Sequence, residues 1–264
     1  MRVLSYNIHK GIGGRDRRYR IDRIVAAIAS QSPDIICLQE VDSGVKRSAF
    51  HHQPEILADM LGSKLGLLEH IYQLNVPIGA GGYGNLLLSR YPLETRWDIC
   101  LRRGWRKPRA AQVVIASTPE GPLRLVNWHL GLSEGERHWQ VRKLLDDDVF
   151  NNGDPIPSLI VGDFNDWRNT LAAGPFTEHN FTKLTWPPKE FRSVPAYMPL
   201  GALDKAFARD GLKFDRAKVV QNRITRDASD HLPLVVDFSL PQENAARQEV
   251  AAQGEDAKRL ILVE

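Results

Sequence analysis

Oxygen-rich side chains follow an apolar run near the middle of the chain. Residues 158–161 are mostly apolar and lead into Gly162, after which come Asp163, Asn165 and Asp166. The run predicts a buried strand that opens into a polar loop. Asp163 and Asn165 stand two positions apart, so they would point to one side if the chain stays extended. A carboxylate beside an amide suits the steering of water and phosphate next to a hard cation. An Asx-type turn that closes the strand is the alternative.

Other predicted strands also end in polar side chains. Along the chain these are Asn7, Glu40, His129, Asp230 and His231. Strand ends at one edge of a sheet sandwich can converge on a single cleft. The groups collected in this way are carboxylates, amides and imidazoles, which suit Mg²⁺ or Mn²⁺. The chain has only two cysteines, so a cysteine-rich zinc site is excluded.

The elements that must position these side chains can be read from the pattern of apolar residues. Apolar residues at helical spacing predict a helix over 21–29, and a second helix over 53–61 is closed by Gly62. Ser133 followed by Glu136 resembles a capping box, which predicts a third helix that runs to about Phe150. Strands are predicted over 2–8, 34–40, 85–90, 112–117, 123–127, 158–161, 218–221 and 232–240. The glycine-rich segment 79–84 lacks the Lys-Ser/Thr ending of a phosphate-binding P-loop, so a hairpin or strand-entry loop is predicted.

The composition is that of an ordinary globular protein. Its 264 residues are 42% hydrophobic and 25% charged, with a formal net charge of only +3. We predict one domain over residues 1–240 and a polar tail over 241–264 that is either a frayed helix or an appendage. The sequence shows no signal peptide and no apolar run long enough to span a bilayer. A monomer in the cytoplasm is therefore expected, while peripheral contact with a membrane stays open.

Seven short segments resemble, in order, the motifs of the endonuclease/exonuclease/phosphatase superfamily, which has the fold of pancreatic deoxyribonuclease. These segments are 5–7, 38–40, 84–92, 127–129, 162–165, 203–204 and 229–231. The resemblance covers the chain from about residue 2 to residue 239 and is closest to a small bacterial branch sometimes associated with phospholipid metabolism. It implies an α/β fold built as a four-layer αββα sandwich, in which two mainly antiparallel sheets lie face to face between helices.

The resemblance also implies a metal site and a hydrolytic site. At the matching positions, Glu40 is the principal ligand of Mg²⁺ or Mn²⁺, with Asn7 and Asp230 beside it. Asp163 orients or deprotonates the attacking water, and Asn165 holds the phosphate. A phosphodiester already carries negative charge, so attack on it requires a cation and hydrogen-bond donors at its oxygens.

Two histidines complete the implied site. His231 faces the scissile phosphate and is oriented by Asp204, while His129 supplies a further donor to that phosphate. A histidine bound by a carboxylate has its tautomer selected and its charged form favoured. The chain departs from the abasic-site repair branch at His9, where that branch has an acidic residue. Lys205 also stands where relatives often have an aromatic residue.

Two basic segments indicate how substrate could bind. Residues 102–109 contain five cations and a tryptophan, and four further arginines lie within residues 15–20. The predicted substrate-binding residues are Arg102, Arg103, Arg106, Arg109, Tyr83 and Asn85. A basic rim with an aromatic side chain suits a phosphate backbone and an unstacked base, although arginine binds the phosphate of a lipid headgroup as well.

The leading interpretation is therefore a metal-dependent phosphodiesterase, an endonuclease or exonuclease that acts on DNA. The alternative is the same chemistry on a phospholipid, a sphingolipid or a phosphorylated small molecule. A binding module without catalysis ranks third, because every reactive position of the motifs is filled.

Overall fold

The computed structural model describes residues 1–151 and 155–241. Its strands are β1 (Arg2–Asn7), β2 (Ile35–Ser43), β3 (Glu69–Ile78), β4 (Gly81–Ser89), β5 (Leu93–Cys100), β6 (Ala110–Thr118), β7 (Gly121–His129), β8 (Ser158–Asp163), β9 (Thr182–Lys183), β10 (Asp204–Arg209), β11 (Lys213–Val219) and β12 (Leu234–Ser239). The helices are α1 (Ile21–Ala29), α2 (Gln53–Leu65), α3 (Glu134–Leu145), α4 (Asp148–Asn151) and α5 (Arg223–Ala228), and shorter helical turns connect other elements.

The strands form two six-stranded sheets that pack face to face. The first sheet has the order β11-β12-β1-β2-β4-β3 and the second the order β5-β6-β7-β8-β10-β9. One apolar cluster, which includes Val3, Leu125 and Val161, lies between the sheets. A second cluster joins α1, α2 and α5 to the first sheet, and a third joins α3 and α4 to the second. The four-layer sandwich predicted from the sequence is thus confirmed.

Each sheet contains one parallel pair of strands near its centre, and this pairing brings the polar strand ends together. β1 runs parallel to β2, and β7 runs parallel to β8, whereas the other pairs are antiparallel. Parallel neighbours finish at the same edge, so Asn7 lies beside Gln39 and His129 lies beside Asp163. An antiparallel neighbour begins where its partner ends, which places Asp204 opposite Asp163. One edge of the sandwich therefore collects the predicted site.

The helices differ from prediction at their ends. α2 runs through Gly62 and ends at Leu65, because Gly66 takes a left-handed conformation with φ +69°. α3 ends at Leu145, and the residues near Phe150 belong to the separate α4, so the predicted single helix is wrong. Ser133 forms no side-chain cap. Glu136 is turned toward Arg106 instead, so the capping box is absent.

Edge strands account for most of the errors in strand prediction. β3 and β5 were not predicted, and β11 spans Lys213–Val219 rather than 218–221. All three lie at the outer edge of a sheet, where one side of the strand has no partner and few side chains are buried. The apolar alternation that signals a strand is weak under those conditions. Of the two alternatives predicted for 79–84, the hairpin is present, with Gly79 in its turn and β4 beginning at Gly81.

The predicted tail from residue 242 onward lies outside the described residues. Among the residues that are described, none of the helices has the length and apolar character needed to cross a membrane.

Candidate active site

Asp163 ends β8 and is only 2% exposed. Its Oδ2 accepts a hydrogen bond from Asn7 Nδ2 at 3.1 Å. The same oxygen lies 3.3 Å from His129 Nε2 and 3.6 Å from His231 Nε2. Side chains from three other segments of the chain thus surround one carboxylate oxygen. Such a setting can place a reacting oxygen between a base and several hydrogen-bond donors.

His231 is held by Asp204, as the sequence predicted. The two residues are 27 positions apart, and His231 Nδ1 lies 2.8 Å from Asp204 Oδ2. Ser193 Oγ donates to that same carboxylate oxygen at 2.5 Å. Burial would lower the pKa of His231, but Asp204 and Asp163 outweigh it and raise this pKa to about 10. The ring is therefore a cation at neutral pH, with Nδ1–H bonded to Asp204 and Nε2–H directed toward Asp163.

Asp163 has the ionisation behaviour of a base that works near neutral pH. Burial raises the pKa of its carboxyl group to about 6, against the opposing effect of His231. An aspartate in water has a pKa of about 3.9. Above pH 7 the Asp163 carboxylate is mostly ionised, yet it binds a proton more tightly than an exposed aspartate does. It can therefore accept a proton from a water molecule.

The chain does not stay extended between Asp163 and Asn165, so the arrangement expected from strand alternation is wrong. Gly162 has φ +142° and Asn165 has φ +51°. The Asn165 N–H donates to Asp163 Oδ1 at 2.9 Å, which makes the segment an Asx-type turn. Asn165 Nδ2 donates to the Leu130 carbonyl at 3.0 Å and the residue is 8% exposed. Its contact with a phosphate stays a prediction.

Glu40 enters the site through an irregularity in β2. The register of β2 against β4 shifts between Leu38 and Val41, and Glu40 has φ +58°. A left-handed residue other than glycine costs roughly 1–2 kcal/mol, so the surrounding packing must enforce this conformation. Glu40 Oε1 lies 3.8 Å from His129 Nδ1, and Oε2 forms an ion pair with Lys10 Nζ.

The charge of Glu40 is maintained by its neighbours. Burial would raise the pKa of Glu40, but His129 and Lys10 outweigh it and lower this pKa to about 2. The pKa of His129 itself lies well below its ordinary value, because the ring is buried and close to Arg109. His129 is therefore protonated, and lowers the pKa of Glu40, only at acidic pH. At pH 7 its ring is neutral, and the ion pair with Lys10 stabilises the Glu40 carboxylate.

The predicted metal ligands supply oxygen atoms that suit Mg²⁺ or Mn²⁺. The Glu40 side chain is 13% exposed and ionised, and it already binds one cation, the Lys10 ammonium. Asn7 Oδ1 accepts one hydrogen bond, from the His9 N–H at 3.0 Å, and retains a second lone pair. Asp230 Oδ1 lies 3.7 Å from His9 Nδ1 at the partly exposed side of the site.

The number of acidic ligands is small. Within residues 1–151 and 155–241, no three side chains of His, Cys, Asp or Glu form a group that could hold an ion by themselves. Mg²⁺ commonly binds through one or two carboxylates and keeps several waters. Two carboxylates and one amide oxygen fit that requirement, whereas they would fit zinc poorly. The assignment of Glu40, Asn7 and Asp230 as ligands stays a prediction.

The four arginines predicted to bind substrate differ in how much of each side chain already contacts the protein. Arg103 Nη1 donates to the Gly135 carbonyl, and Arg106 Nη1 donates to Glu136 Oε2 at 3.1 Å. Arg102 is exposed, and its Nε donates to a carbonyl oxygen of its own loop. Arg109 is 6% exposed, forms no ion pair within the described part of the chain, and lies close enough to His129 to lower its pKa. Arg109 thus lies near the predicted site, and contact of any of the four with a phosphate stays a prediction.

Tyr83 and Asn85, which were predicted to bind substrate, are both buried. Tyr83 is 4% exposed, and its ring is 5.5 Å from Lys10 Nζ and 5.1 Å from both Arg47 Cζ and Lys107 Nζ. Asn85 is 1% exposed, and its Nδ2 donates to oxygens of the protein. Its Oδ1 accepts no hydrogen bond from the described residues and is the only side-chain atom left for a ligand. Substrate contact by either residue stays a prediction.

Sequence reasoning missed the residues that support the site. Lys10 lies three residues beyond the end of β1, but only the structure shows that its ammonium reaches Glu40. Ser229 Oγ donates to the Asn7 carbonyl at 2.8 Å and so ties the His231 loop to β1. Gln39 Nε2 donates to Asn127 Oδ1 at 2.8 Å and links the two sheets beneath the site. Gln39 and Asn127 fall inside the motif segments 38–40 and 127–129, and this position was the signal from which the sequence could have identified them.

Comparison with known proteins supports the family resemblance found in the sequence. The sequence model of the Endonuclease/Exonuclease/phosphatase family matches residues 4–231. The chain is similar to the protein YbhP of Escherichia coli (strain K12), with 28% identity over 253 residues that cover 90% of this chain and 96% of that protein.

Solved structures share the fold. An endonuclease/exonuclease/phosphatase from Beutenbergia cavernae is similar with a TM-score of 0.78 and 23% identity, over 91% of this chain and 71% of that chain. The mannosyl-6-phosphatase Bt3783 of Bacteroides thetaiotaomicron is similar with a TM-score of 0.70 and 15% identity, over 91% of this chain and 100% of that chain.

Proposed function

The chain belongs to the Endonuclease/Exonuclease/phosphatase family, and on this basis we propose that it is a divalent-metal-dependent phosphodiesterase with DNA as its leading substrate. Members of the family are phosphoric ester hydrolases, and they generally use divalent metals such as Mg²⁺.

The observation that carries the proposal is the setting of Asp163. Its Oδ2 lies 3.3 Å from His129 Nε2 and 3.6 Å from His231 Nε2. A water bound beside Asp163 can transfer a proton to this carboxylate as it attacks phosphorus. His231 is protonated and donates a hydrogen bond to a phosphate oxygen, where negative charge increases during attack. Asp204 keeps the ring in the orientation needed for that contact.

Glu40, with Asn7 and Asp230, would hold the metal ion. When bound, a divalent cation supplies positive charge that polarises the phosphate and stabilises the charge on its oxygens. The ionised state of Glu40 is secured before any ion binds, because its pKa is about 2. A metal ion would compete with the Lys10 ammonium, which pairs with Glu40 Oε2 and lies 5.5 Å from the centre of the Tyr83 ring.

The choice of DNA rests on the cations around the site. Arg109 and Lys107 lie on one side, and the exposed Trp105 in the same loop could stack on a base. The internal contacts of Arg103 and Arg106 leave fewer free cations for a long backbone than the sequence predicted. This observation favours keeping a phosphorylated small molecule as the second candidate, and the similar fold of the mannosyl-6-phosphatase makes a sugar phosphate the first compound of that class to test.

The test is hydrolysis of single- and double-stranded DNA by the purified protein with Mg²⁺ or Mn²⁺. Asp163→Asn should lower turnover by about a hundredfold or more, since it removes the base. Asp215→Asn is the matched control, because Asp215 is an exposed aspartate of β11, and it should leave turnover unchanged. EDTA should abolish the reaction.

Two results would contradict the proposal, the first its choice of substrate and the second its chemistry. Hydrolysis of a sugar phosphate or a phospholipid with DNA left intact would select the second candidate class of substrate. Full activity in EDTA, or in Asp163→Asn, would overturn the proposed chemistry itself.

A further inference from the structure

A basic cleft lies beside the predicted active site and takes no part in the chemistry described above. It has a volume of about 560 Å³, and its lining includes Arg15, Arg223, Arg226, Asp227 and Tyr197. Three arginines face one aspartate, so the lining carries excess positive charge. The volume falls within the range of about 300–1,000 Å³ that is typical of small-molecule sites.

The three arginines are not used by the fold. Among the described residues, the guanidinium groups of Arg15, Arg223 and Arg226 have neither an ion pair nor a side-chain hydrogen bond. Nearby arginines behave differently: Arg20 pairs with Asp22 at 2.9 Å, and Arg23 pairs with Asp16 at 2.7 Å. Three arginines beside one aspartate leave the cleft with net positive charge, which an anion with several oxygens would offset.

The walls of the cleft are fixed against Asp230, the predicted metal ligand. A Cβ atom on Gly14 would lie 2.6 Å from Asp230 Cα, so the loop that carries Arg15 presses directly on that residue. The loop that carries Tyr197 is bound to the same place, because the Ala196 N–H donates to the Asp230 carbonyl at 2.8 Å. The segment that carries Asp227 forms the third wall. It is held in place by Arg23 Nη1, which donates to the Asp227 carbonyl at 3.0 Å. The cleft therefore adjoins the predicted reaction centre.

We propose that this cleft binds a second phosphate group of the substrate, one that is not the group being hydrolysed. The inference rests on the proposed function and narrows it to substrates with at least two phosphates. Arginine binds phosphate oxygens with its two parallel N–H groups, which suits this role better than a single ammonium would. Tyr197 is 52% exposed and offers a ring face to the sugar or base attached to that phosphate.

Two sources could supply this chemistry: the backbone of a nucleic acid and a small molecule with two phosphates. The experiment compares three substrates, which are a short oligodeoxynucleotide, a sugar bisphosphate and bis(p-nitrophenyl) phosphate, which has a single phosphorus. The double variant Arg223→Ala/Arg226→Ala should raise KM by about tenfold for substrates with a second phosphate. The increase for bis(p-nitrophenyl) phosphate should be at least five times smaller, and the substrate with the larger effect identifies the source.

The matched control is Lys64→Ala/Lys213→Ala, which removes the same charge at exposed positions. Lys64 lies in the last turn of α2 and Lys213 begins β11, at the end of the first sheet away from the site. This control should change none of the three KM values by more than about twofold. The conservative variant Arg223→Lys/Arg226→Lys keeps the charge but loses the paired N–H groups, so it should give an intermediate KM.

Binding of inorganic pyrophosphate, measured by calorimetry in EDTA, gives a readout that does not require hydrolysis. Wild-type protein should bind pyrophosphate at least about tenfold more tightly than the double alanine variant. If no substrate is hydrolysed but this difference is found, the proposed function fails and the phosphate site stands. If hydrolysis is found but the alanine variant matches the lysine control for every substrate and for pyrophosphate, the phosphate site is wrong and the proposed function stands.

Discussion

Asp163, Glu40 and His231 share one small site but ionise over very different ranges of pH. Burial raises the pKa of Asp163 to about 6. For the other two residues burial is outweighed by neighbouring charges, so the pKa of Glu40 falls to about 2 and that of His231 rises to about 10. The environment thus separates a base, a permanently charged anion and a protonated donor. This division of roles leads to two predictions at the scale of single residues.

The rate of hydrolysis should depend on pH with two limbs. Asp163 must be unprotonated to accept a proton, so kcat/KM should fall as pH decreases through about 6. His231 must be protonated to donate, so kcat/KM should also fall as pH increases through about 10. The measurement uses bis(p-nitrophenyl) phosphate from pH 4.5 to 10.5 at saturating metal.

The variant Asp204→Asn provides the control for the alkaline limb. It removes a negative charge that raises the pKa of His231, so the limb should move down by roughly 1–3 pH units. An alkaline limb that stays in place would show that it belongs to another group.

Glu40 should bind the metal ion directly, in competition with Lys10. Glu40→Gln removes the carboxylate charge and should weaken Mn²⁺ binding by about tenfold or more. Lys10→Met removes the cation now paired with Glu40 and should strengthen Mn²⁺ binding several-fold. Mn²⁺ affinity is measured by electron paramagnetic resonance, with Glu55→Gln, an exposed glutamate of α2, as the control. Wild-type affinity in Glu40→Gln would refute the assignment.

At the scale of elements, the close approach of β7 and β8 decides where Asp163 stands. Gly162 pairs with Trp128 in the parallel register, one position before His129 and Asp163. A Cβ atom on Gly162 would lie 2.1 Å from the Trp128 carbonyl oxygen, and its φ of +142° is one that other residues rarely adopt. Below this contact, the ring of Trp128 packs edge-on against Phe164 at 5.2 Å. Glycine is therefore required at the point where the strand meets the site.

Gly162→Ala should destabilise the protein strongly, because both the backbone conformation and the available space oppose a Cβ atom. We expect the free energy of unfolding to fall by about 3 kcal/mol or more, measured by urea denaturation. Gly66→Ala is the control, since Gly66 has φ +69° but no atom within 4 Å of the added Cβ. That change should cost about 1 kcal/mol. Equal losses in the two variants would show that β7 and β8 can separate without strain.

At the scale of the whole molecule, the site lies where the two sheets meet. Asn7 and Glu40 come from the first sheet, whereas His129, Asp163 and Asp204 come from the second. The shared apolar cluster between the sheets therefore sets the distance between the predicted metal ligands and the base. Basic residues form local clusters near the site, which is consistent with a net charge of only +3 for the whole chain.

The sequence by itself determined the fold family and the set of candidate site residues. Buried central strands such as β1, β2 and β8 have long apolar runs, and each ends at a polar residue of a recognisable motif. The pairing of Asp204 with His231 was also predicted, because both positions match the family's motifs. These features depend on local composition and on motif order, which a sequence contains.

Tertiary structure decided the features that depend on contacts between distant segments. The left-handed backbone of Glu40, its ion pair with Lys10 and the internal contacts of Arg103 and Arg106 have no local signal. The convergence of Arg223 and Arg226 with Arg15 joins residues about two hundred positions apart. The pKa values of Asp163 and His231 likewise arise from burial and from charges on other strands. Burial and Coulomb interactions depend on distance in space, and only the packing of the two sheets sets those distances.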